Sequence, residues 1–299
     1  MRRLLVICGP TASGKTELGL CLAQRYPLRL ISVDSQQVYV GMDIGTAKPA
    51  PDQRKNFALI DVAQPGEGYS AGDFCRMAVP LVEEAWATGR CACLVGGTGL
   101  YMKALLEGLA EVPPVPARIR HTLESELSRV GLPALAAELV HADPALADRS
   151  DLRNPRRVLR GLEVARATGK PLSAWQAEAP GPWLLPDKVL WLGLLPSDAE
   201  LRQRIQLRAQ ASLAGGWLDE ARALRLRHGD GALLASGAIG YGEVLQVLDG
   251  NLSLEKAEKA ITQRTWAYAR RQKTWFRKAP VAQWLSQPNH APELQAFFE

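Results

Sequence analysis

The stretch GPTASGKT at residues 9–16 matches the phosphate-binding pattern G-x-x-x-x-G-K-[ST] at every fixed position. The apolar run RLLVICG before it predicts a buried parallel strand, and TELGLCLAQRY after it predicts a helix. In this arrangement the loop amides and the helix N-terminus direct positive charge towards phosphate oxygens. The residues predicted to hold a phosphate chain are Gly9, Thr11, Ala12, Ser13, Gly14, Lys15 and Thr16. The Thr16 hydroxyl is also a candidate ligand for Mg²⁺.

Three further apolar runs predict strands of the same sheet: LRLISVD (28–34), CACLVGG (91–97) and KVLWLGLL (188–195). Helical segments separate these runs, so the sequence predicts an α/β fold with a P-loop-type parallel sheet core and helices on both faces. Ligands of such sheets bind beyond the carboxyl ends of the strands. The loops that follow the first three strands are therefore expected to converge on one crevice.

Two proline-rich segments, EVPPVPARIR and PGPWLLPD, enclose a block that reads as helical. A helical block between strands of one sheet predicts an inserted subdomain. We assign residues 1–111 and 187–299 to the catalytic core and residues 112–186 to the insert. The rest of the C-terminal part reads as helical and ends in a long candidate helix at about 253–278.

Composition limits the class of protein. The chain has 299 residues, of which 47% are hydrophobic and 22% charged, which is ordinary for a soluble protein. No apolar run is long enough to span a bilayer, and the basic start MRRLLVICG reads as the first strand, so we expect a cytoplasmic protein without a membrane partner. The net charge is +5, and residues 201–280 carry ten Arg and four Lys against three Asp and four Glu, which points to a polyanionic partner.

Polar residues follow the second and third predicted strands. Asp34 ends the second strand, where a carboxylate can contact Mg²⁺ or accept a proton beside the phosphate loop. Ser35, Gln36 and Gln37 follow it with hydrogen-bonding side chains, and a Gln amide can read a purine edge. Thr98 lies in the glycine-rich turn VGGTGLY, next to the start of a helix.

Two basic segments are candidates for phosphate contacts. At helical spacing one face would carry Arg153, Arg156, Arg157 and Arg160, and a second helix would carry Arg264, Tyr268, Arg271 and Trp275 on one face. Like charges on one face repel each other unless an anion binds there, and aromatic rings between cations can stack on bases. The alternative for the second helix is an amphipathic helix whose aromatic side chains fill the core.

The motifs GPTASGKT, DSQQVYVGMDIGTAKP, GGTGLY, PRRVLRGLEV, SGAIGYGEV and RTWAYARRQKTWFR together resemble the tRNA dimethylallyltransferase family, and they run in family order over nearly the whole chain. The run CACLVGG ends in glycines where a nucleoside triphosphatase usually has a Mg²⁺-binding Asp. The sequence departs from the family pattern at Gly242, where Lys or Arg is common, and at Arg156, where Gln is common.

The resemblance implies transfer of a dimethylallyl group from dimethylallyl diphosphate to N6 of the adenosine 3′ of the anticodon in tRNA. The phosphate loop would hold the diphosphate leaving group, with Mg²⁺ as cofactor and Arg204 and Arg208 nearby. Asp34 would be the general base, with Lys15 and Thr98 as further catalytic residues. The residues implied in tRNA binding are Asp34, Ser35, Gln36, Gln37, Thr98, Arg120, Arg156, Arg157 and Arg160, to which the basic C-terminal helix adds Arg264 and Arg271.

Two other classes of function stay open from the residues alone. A small-molecule or nucleoside kinase would account for the phosphate loop and the sheet, but for neither the insert nor the basic helix. A noncatalytic RNA-binding protein would account for the basic segments but leave the phosphate loop without a role. The expected partners are the anticodon stem-loop of tRNA and dimethylallyl diphosphate, bound by a monomer.

Overall fold

The computed structural model describes residues 1–285 and 293–298. The chain divides into two compact units: unit 1 comprises Met1–Leu106 and Leu184–Glu299, and unit 2 comprises Glu107–Trp183. The sequence places the two boundaries at 112 and 186. The tRNA-binding role that we assigned to the insert stays a prediction.

Within the described residues, unit 1 is built on one parallel sheet of six strands in the order β3-β2-β4-β1-β5-β6. The strands are β1 (Arg3–Cys8), β2 (Leu28–Val33), β3 (Phe57–Ala58), β4 (Cys91–Gly96), β5 (Lys188–Leu194) and β6 (Gln283–Leu285). In the pairing register Cys8 lies opposite Gly96, and Gly96 lies opposite Val33. The loops that follow β1, β2 and β4 therefore leave the same edge of the sheet side by side, as the sequence predicts.

Four helices precede the insert: α1 (Lys15–Ala23), α2 (Pro51–Arg54), α3 (Ala71–Ala87) and α4 (Gly99–Glu107). Unit 2 holds α5 (Ala117–Ala142), α6 (Pro144–Arg149), α7 (Pro155–Thr168) and α8 (Leu172–Ala177). After the insert follow α9 (Asp198–Ala214), α10 (Trp217–His228), α11 (Asp230–Ala235), α12 (Tyr241–Leu248), α13 (Leu254–Phe276) and α14 (Glu293–Phe298).

The sheet is covered on both faces, which confirms the predicted fold class. Strand residues alternate between faces, so Leu5 and Ile7 of β1 join one buried cluster with Leu18 of α1 and Phe297 of α14. The buried side of α3, which includes Phe74, lies outside that cluster and packs against β2 and β4 from the other face. Burial on both faces explains why these strands read as continuous apolar runs.

A separate small core holds the helices of unit 2. Leu123 and Leu139 of α5 pack against Val158 and Leu162 of α7, and all four side chains are fully buried. The proline at position 133 predicts a helix break, and α5 is interrupted there, because Gly131 has a left-handed φ of 80° and divides α5 by a kink into two helical segments. A proline two residues after the kink lies in the first turn of the second segment, where its missing N–H costs no helical hydrogen bond.

Two strands were missed in the sequence. β3 and β6 are two and three residues long, and β6 lies beyond the last helix that the sequence predicts. Such short edge strands carry too few residues to show a period of two, and only pairing with β2 and β5 defines them. In the described part of the chain, no helix has the length and apolar character needed to cross a membrane.

Candidate active site

The predicted phosphate loop has the conformation that anion binding requires. Gly14, which caps α1, has a left-handed φ of 95°, and a Cβ atom on Gly9 would overlap the backbone oxygen of Leu194. Lys15 folds back along the loop and its Nζ donates to the Pro10 oxygen at 2.6 Å. The Ser13 Oγ atom is buried and has no hydrogen-bond partner among the described residues. A phosphate oxygen would supply the acceptor that this hydroxyl lacks.

Two arginines reach the loop from α9, as the resemblance implies. Arg208 donates to the Thr11 Oγ1 at 2.9 Å, and Arg204 donates to the Ser13 backbone oxygen at 3.5 Å. Burial lowers the pKa of Lys15 from 10.5 to about 8, although the nearby Asp34 charge raises it. Burial lowers the pKa of Arg208 as well, and Asp34 again opposes the shift. Two cations are thus held in a poorly solvated site, where a bound anion would stabilise both.

The loop after β2 brings Asp34 and Thr98 together. The Asp34 Oδ1 accepts from the backbone N–H groups of Gln36 at 2.8 Å and Gln37 at 3.3 Å. The N–H of Ser35 donates to the Thr98 Oγ1 at 3.1 Å, which joins the predicted turn after β4 to this loop. No donor among the described residues bonds to the Asp34 Oδ2, so this oxygen is available to a ligand.

The two glutamines predicted to contact tRNA lie in different surroundings. The Gln37 side chain bonds within the protein, because its Nε2 donates to the Ala47 oxygen at 3.2 Å and its Oε1 accepts from Ser32 at 3.4 Å. The Gln36 Oε1 is buried without a hydrogen-bond partner in the described chain, and Gln36 lines the cavity described next. The Gln36 Nε2 donates to the Ser35 Oγ at 3.4 Å, so Gln36 is the one of the two whose amide oxygen is free to accept from a ligand.

A cavity of about 80 Å³ opens beside these groups. Its polar lining includes Thr11, Asp34, Gln36, Arg208 and Tyr268, and its apolar lining includes Ile44, Ile205, Ala209, Trp217, Ile239 and Ile261. Burial and the Asp34 charge raise the pKa of Tyr268, which keeps its hydroxyl protonated. The cavity can therefore accept a molecule with an anionic end and an apolar end.

The cavity wall at Ile44 and Gly45 is fixed by a residue that the sequence analysis missed. The Glu220 carboxylate of α10 accepts from the N–H groups of Asp43 at 2.9 Å, Ile44 at 2.7 Å and Gly45 at 3.3 Å, and from the Tyr241 hydroxyl at 2.6 Å. Glu220 is one of two adjacent acidic residues in the first turn of α10, so no local signal distinguishes it from Asp219.

Lys48 braces the same segment and was also missed. The Lys48 side chain is fully buried, and its Nζ forms salt bridges with Asp43 at 2.8 Å and Asp61 at 2.5 Å. The same Nζ donates a hydrogen bond to the Tyr39 backbone oxygen at 2.6 Å. A single Lys in the otherwise uncharged run IGTAKP is the signal that could have indicated it.

The C-terminal basic helix α13 combines both alternatives that the sequence left open. Phe276 is fully buried, so this aromatic side chain fills the core. Arg264 is mostly exposed but pairs with Glu243 at 2.6 Å, whereas the exposed Arg271 lies over the Tyr268 ring at 5.8 Å. Of the two arginines predicted to bind tRNA, Arg271 forms no salt bridge with a described residue, and the ring beneath it belongs to a residue that lines the cavity.

In unit 2 the structure separates the predicted arginines into two groups. Arg120 pairs with Glu124 at 2.7 Å and with Glu163 at 2.5 Å, and Arg160 contacts Glu163 at 3.4 Å. Arg156 and Arg157 are exposed at the start of α7 and form no salt bridge with any described residue. Their guanidinium groups are the ones available to an external phosphate.

A phosphate loop beyond β1, two partly buried cations, an available carboxylate and a partly apolar cavity define an α/β enzyme of the phosphate-loop class. The sequence model of one family, described as IPP transferase, matches residues 37–279. The chain belongs to this family.

Curated relatives and solved structures agree with that assignment. A tRNA dimethylallyltransferase of Anaeromyxobacter dehalogenans (strain 2CP-C) is 43% identical, with 98% of each chain covered. The crystal structure of a tRNA isopentenylpyrophosphate transferase from Bacillus halodurans is similar with a TM-score of 0.67 and 35% identity, covering 100% of this chain and 95% of that one. The crystal structure of a eukaryotic dimethylallyltransferase acting on tRNA is similar with a TM-score of 0.74 and 27% identity, covering 92% of this chain and 70% of that one.

Proposed function

We propose that this protein transfers the dimethylallyl group of dimethylallyl diphosphate to N6 of the adenosine 3′ of the anticodon, position 37 of tRNA. The products are N6-isopentenyladenosine in tRNA and free diphosphate. The observation that carries the proposal is the position of the available Asp34 oxygen on the wall of a partly apolar cavity, which Arg208 and Thr11 of the phosphate loop also line.

The diphosphate end of the donor would bind the phosphate loop. The C–O bond that breaks leaves its electron pair on the diphosphate, so negative charge grows there during the reaction. The loop amides, Lys15 and Arg208 are in place to stabilise that charge, and the unpartnered Ser13 hydroxyl adds a donor. Because the pKa of Lys15 is only about 8 in the free protein, a bound anion would hold the proton on its Nζ more firmly.

The adenine end of the reaction would take place at Asp34. N6 forms a bond to the first carbon of the dimethylallyl group and must lose a proton to remain neutral. The Asp34 Oδ2 is the acceptor we propose for that proton, while Oδ1 is held by two backbone N–H groups and fixes the carboxylate. Holding both reactants in one cavity aligns N6 with the carbon it attacks. The target base must leave its stack to reach this position.

The residues present fit Mg²⁺ as part of the donor complex. No cluster of three His, Cys, Asp or Glu side chains able to hold a metal occurs among the described residues. Mg²⁺ commonly keeps several waters and takes its remaining ligands from one or two side chains and from substrate phosphates. The Thr16 hydroxyl would be the protein ligand, and the ion would neutralise charge on the diphosphate oxygens.

Arg156 and Arg157 of unit 2 and Arg271 of α13 are the side chains we propose for contacts with the tRNA backbone. All three are exposed, and none forms a salt bridge with a described residue. We propose further that the protein acts as a monomer in the cytoplasm, where its tRNA substrate is found.

The test is a reaction of the purified protein with dimethylallyl diphosphate, Mg²⁺ and tRNA in buffer without ATP. We expect one diphosphate released for each modified adenosine, measured by coupled diphosphate assay and by mass spectrometry of tRNA nucleosides. A tRNA with another base at that position is the matched control and should give neither product. A requirement for ATP hydrolysis, or product without diphosphate, would overturn the proposal in favour of a kinase.

A further inference from the structure

One buried side chain outside the residues proposed for catalysis joins two loops of the site. Gln272 of α13 is only 6% exposed. Its Oε1 accepts from the N–H of Thr11 at 2.8 Å, and its Nε2 donates to the Gly97 oxygen at 3.0 Å. Thr11 belongs to the phosphate loop after β1, and Gly97 belongs to the turn after β4. A single amide group therefore bridges the two loops.

Each end of this bridge leads to a residue that we place in the reaction. Thr11 accepts a hydrogen bond from Arg208 through its hydroxyl, on the diphosphate side. Gly97 directly precedes Thr98, whose Oγ1 accepts from the N–H of Ser35 next to Asp34. The Gln272 amide thus lies between the group that binds the leaving diphosphate and the group that takes the proton.

The Gln272 amide and the turn after β4 are closely packed. A Cβ atom on Gly97 would overlap the Gln272 Nε2 atom, so the turn can approach the amide only because residue 97 is a glycine. A primary amide carries both a donor and an acceptor, and it can satisfy both loops at once. A carboxylate of the same shape would lack the donor, and a thioether would lack both strong groups.

We propose that Gln272 is a positioning residue that fixes the distance and orientation between the phosphate loop and the Asp34–Thr98 pair. The proposal rests on the function proposed above. A positioning role differs from a purely structural one, in which Gln272 would only fill space next to the site and its loss would change the stability of the protein alone. Positions held within about half an ångström decide the rate of such a reaction, so a loosened bridge should act on binding and turnover together.

The first experiment compares Gln272→Met with Gln263→Met. Both replace a Gln on α13 by an unbranched apolar side chain of similar length, but Gln263 is exposed. Inorganic pyrophosphate with Mg²⁺ is the probe for the phosphate loop of the free protein, and kcat and KM are measured with dimethylallyl diphosphate and tRNA. Gln272→Met removes the hydrogen bond to Thr11, which should raise the dissociation constant of pyrophosphate about tenfold. It also removes the hydrogen bond to Gly97, and kcat should fall about tenfold.

Gln263→Met should leave the dissociation constant and kcat within about twofold of the unsubstituted protein, a shift typical of surface changes. The proposal fails if Gln272→Met lowers the melting temperature but leaves both values, per folded molecule, unchanged. The pyrophosphate measurement keeps this test separate from the proposed function. If the unsubstituted protein modifies no tRNA, the proposed function is wrong, while pyrophosphate binding still reports on the bridge to Thr11.

A double-mutant cycle tests the contact with Gly97 directly. Gly97→Ala alone should lower kcat, because the new methyl group displaces the Gln272 amide. Gln272→Ala opens the space that this methyl group needs. The variant with both changes should therefore be no slower than Gln272→Ala. Losses that simply multiply in the double variant would show that the two residues act independently and would overturn the proposal.

Discussion

Replacing Asp34 by Asn tests the chemistry of the proposed site with little change in shape. The Asn Oδ1 can still accept from the N–H groups of Gln36 and Gln37, at 2.8 and 3.3 Å in the structure, so the loop after β2 should keep its conformation. The change falls on Oδ2, which becomes an NH₂ group that cannot take a proton. Removing a general base costs about 10²–10⁴ in rate, or about 2.7–5.4 kcal/mol in the activation free energy.

The lost charge has a second effect, which decides the pH of the assay. Asp34 raises the pKa of Lys15 against the effect of burial, and the resulting pKa is about 8. Without Asp34 the pKa of Lys15 falls further, and near pH 8 the variant would lose a cation of the diphosphate site as well as its base. An assay at about pH 6.5, well below the pKa of Lys15 in the unsubstituted protein, reduces this second effect, so that the measured difference reports mainly on the base.

The assay is a single-turnover measurement of nucleoside modification at that pH, with tRNA affinity measured in parallel by filter binding. We expect Asp34→Asn to lower the rate by about 10²–10⁴ and to leave the dissociation constant of tRNA within about threefold. Asp52→Asn, an exposed position on α2, is the control for loss of one acidic charge and should react normally. A rate for Asp34→Asn within about threefold of the unsubstituted protein would refute the base assignment.

Three further predictions follow from charges and contacts in the structure. Arg156→Glu combined with Arg157→Glu should weaken tRNA binding and reduce the slope of the log association constant against log salt concentration by about 1.4, because each phosphate contact contributes about 0.7. An unchanged slope would mean that neither side chain contacts a tRNA phosphate. Glu220→Gln should lower the free energy of unfolding by about 1–3 kcal/mol in urea denaturation and speed hydrogen exchange at residues 43–45, because Gln offers one acceptor oxygen where the carboxylate offers two. Binding of dimethylallyl diphosphate should take up a proton above about pH 8, where Lys15 is neutral in the free protein and charged in the complex, and little below it. Calorimetry in buffers of different ionisation enthalpy measures that uptake, and equal heats in all buffers at pH 8.5 would contradict it.

The core of the fold could be predicted because its signals are local. The glycine pattern at 9–16 and the apolar runs that became β1, β2, β4 and β5 each lie within a few residues, and parallel strands place their following loops at one edge. The same reasoning brought Asp34 and Thr98 to one crevice, where the structure joins them through Ser35. For Arg208 the local sequence carried no such signal, and only the resemblance to a family placed it at the loop.

The residues that brace the site could not be predicted, because their contacts join distant parts of the chain. Gln272 bonds to Gly97 across 175 positions, and Glu220 bonds to Ile44 across 176. Each lies on a helix whose pattern reports only which side faces the core. A hydrogen bond of this kind depends on where two helices and a loop pack, and no spacing in the sequence encodes it.

The sequence by itself determined the sheet, the phosphate loop and the list of basic residues, since period and motif are properties of the chain. It placed Arg153, Arg156, Arg157 and Arg160 on one cationic face, and the resemblance added Arg120 as a tRNA contact. Only the tertiary structure divided them, because Glu163 on α7 is buried where α5 packs and takes up both Arg120 and Arg160. Whether a charge is available to a partner depends on its neighbours in space, and those are fixed only when the helices pack.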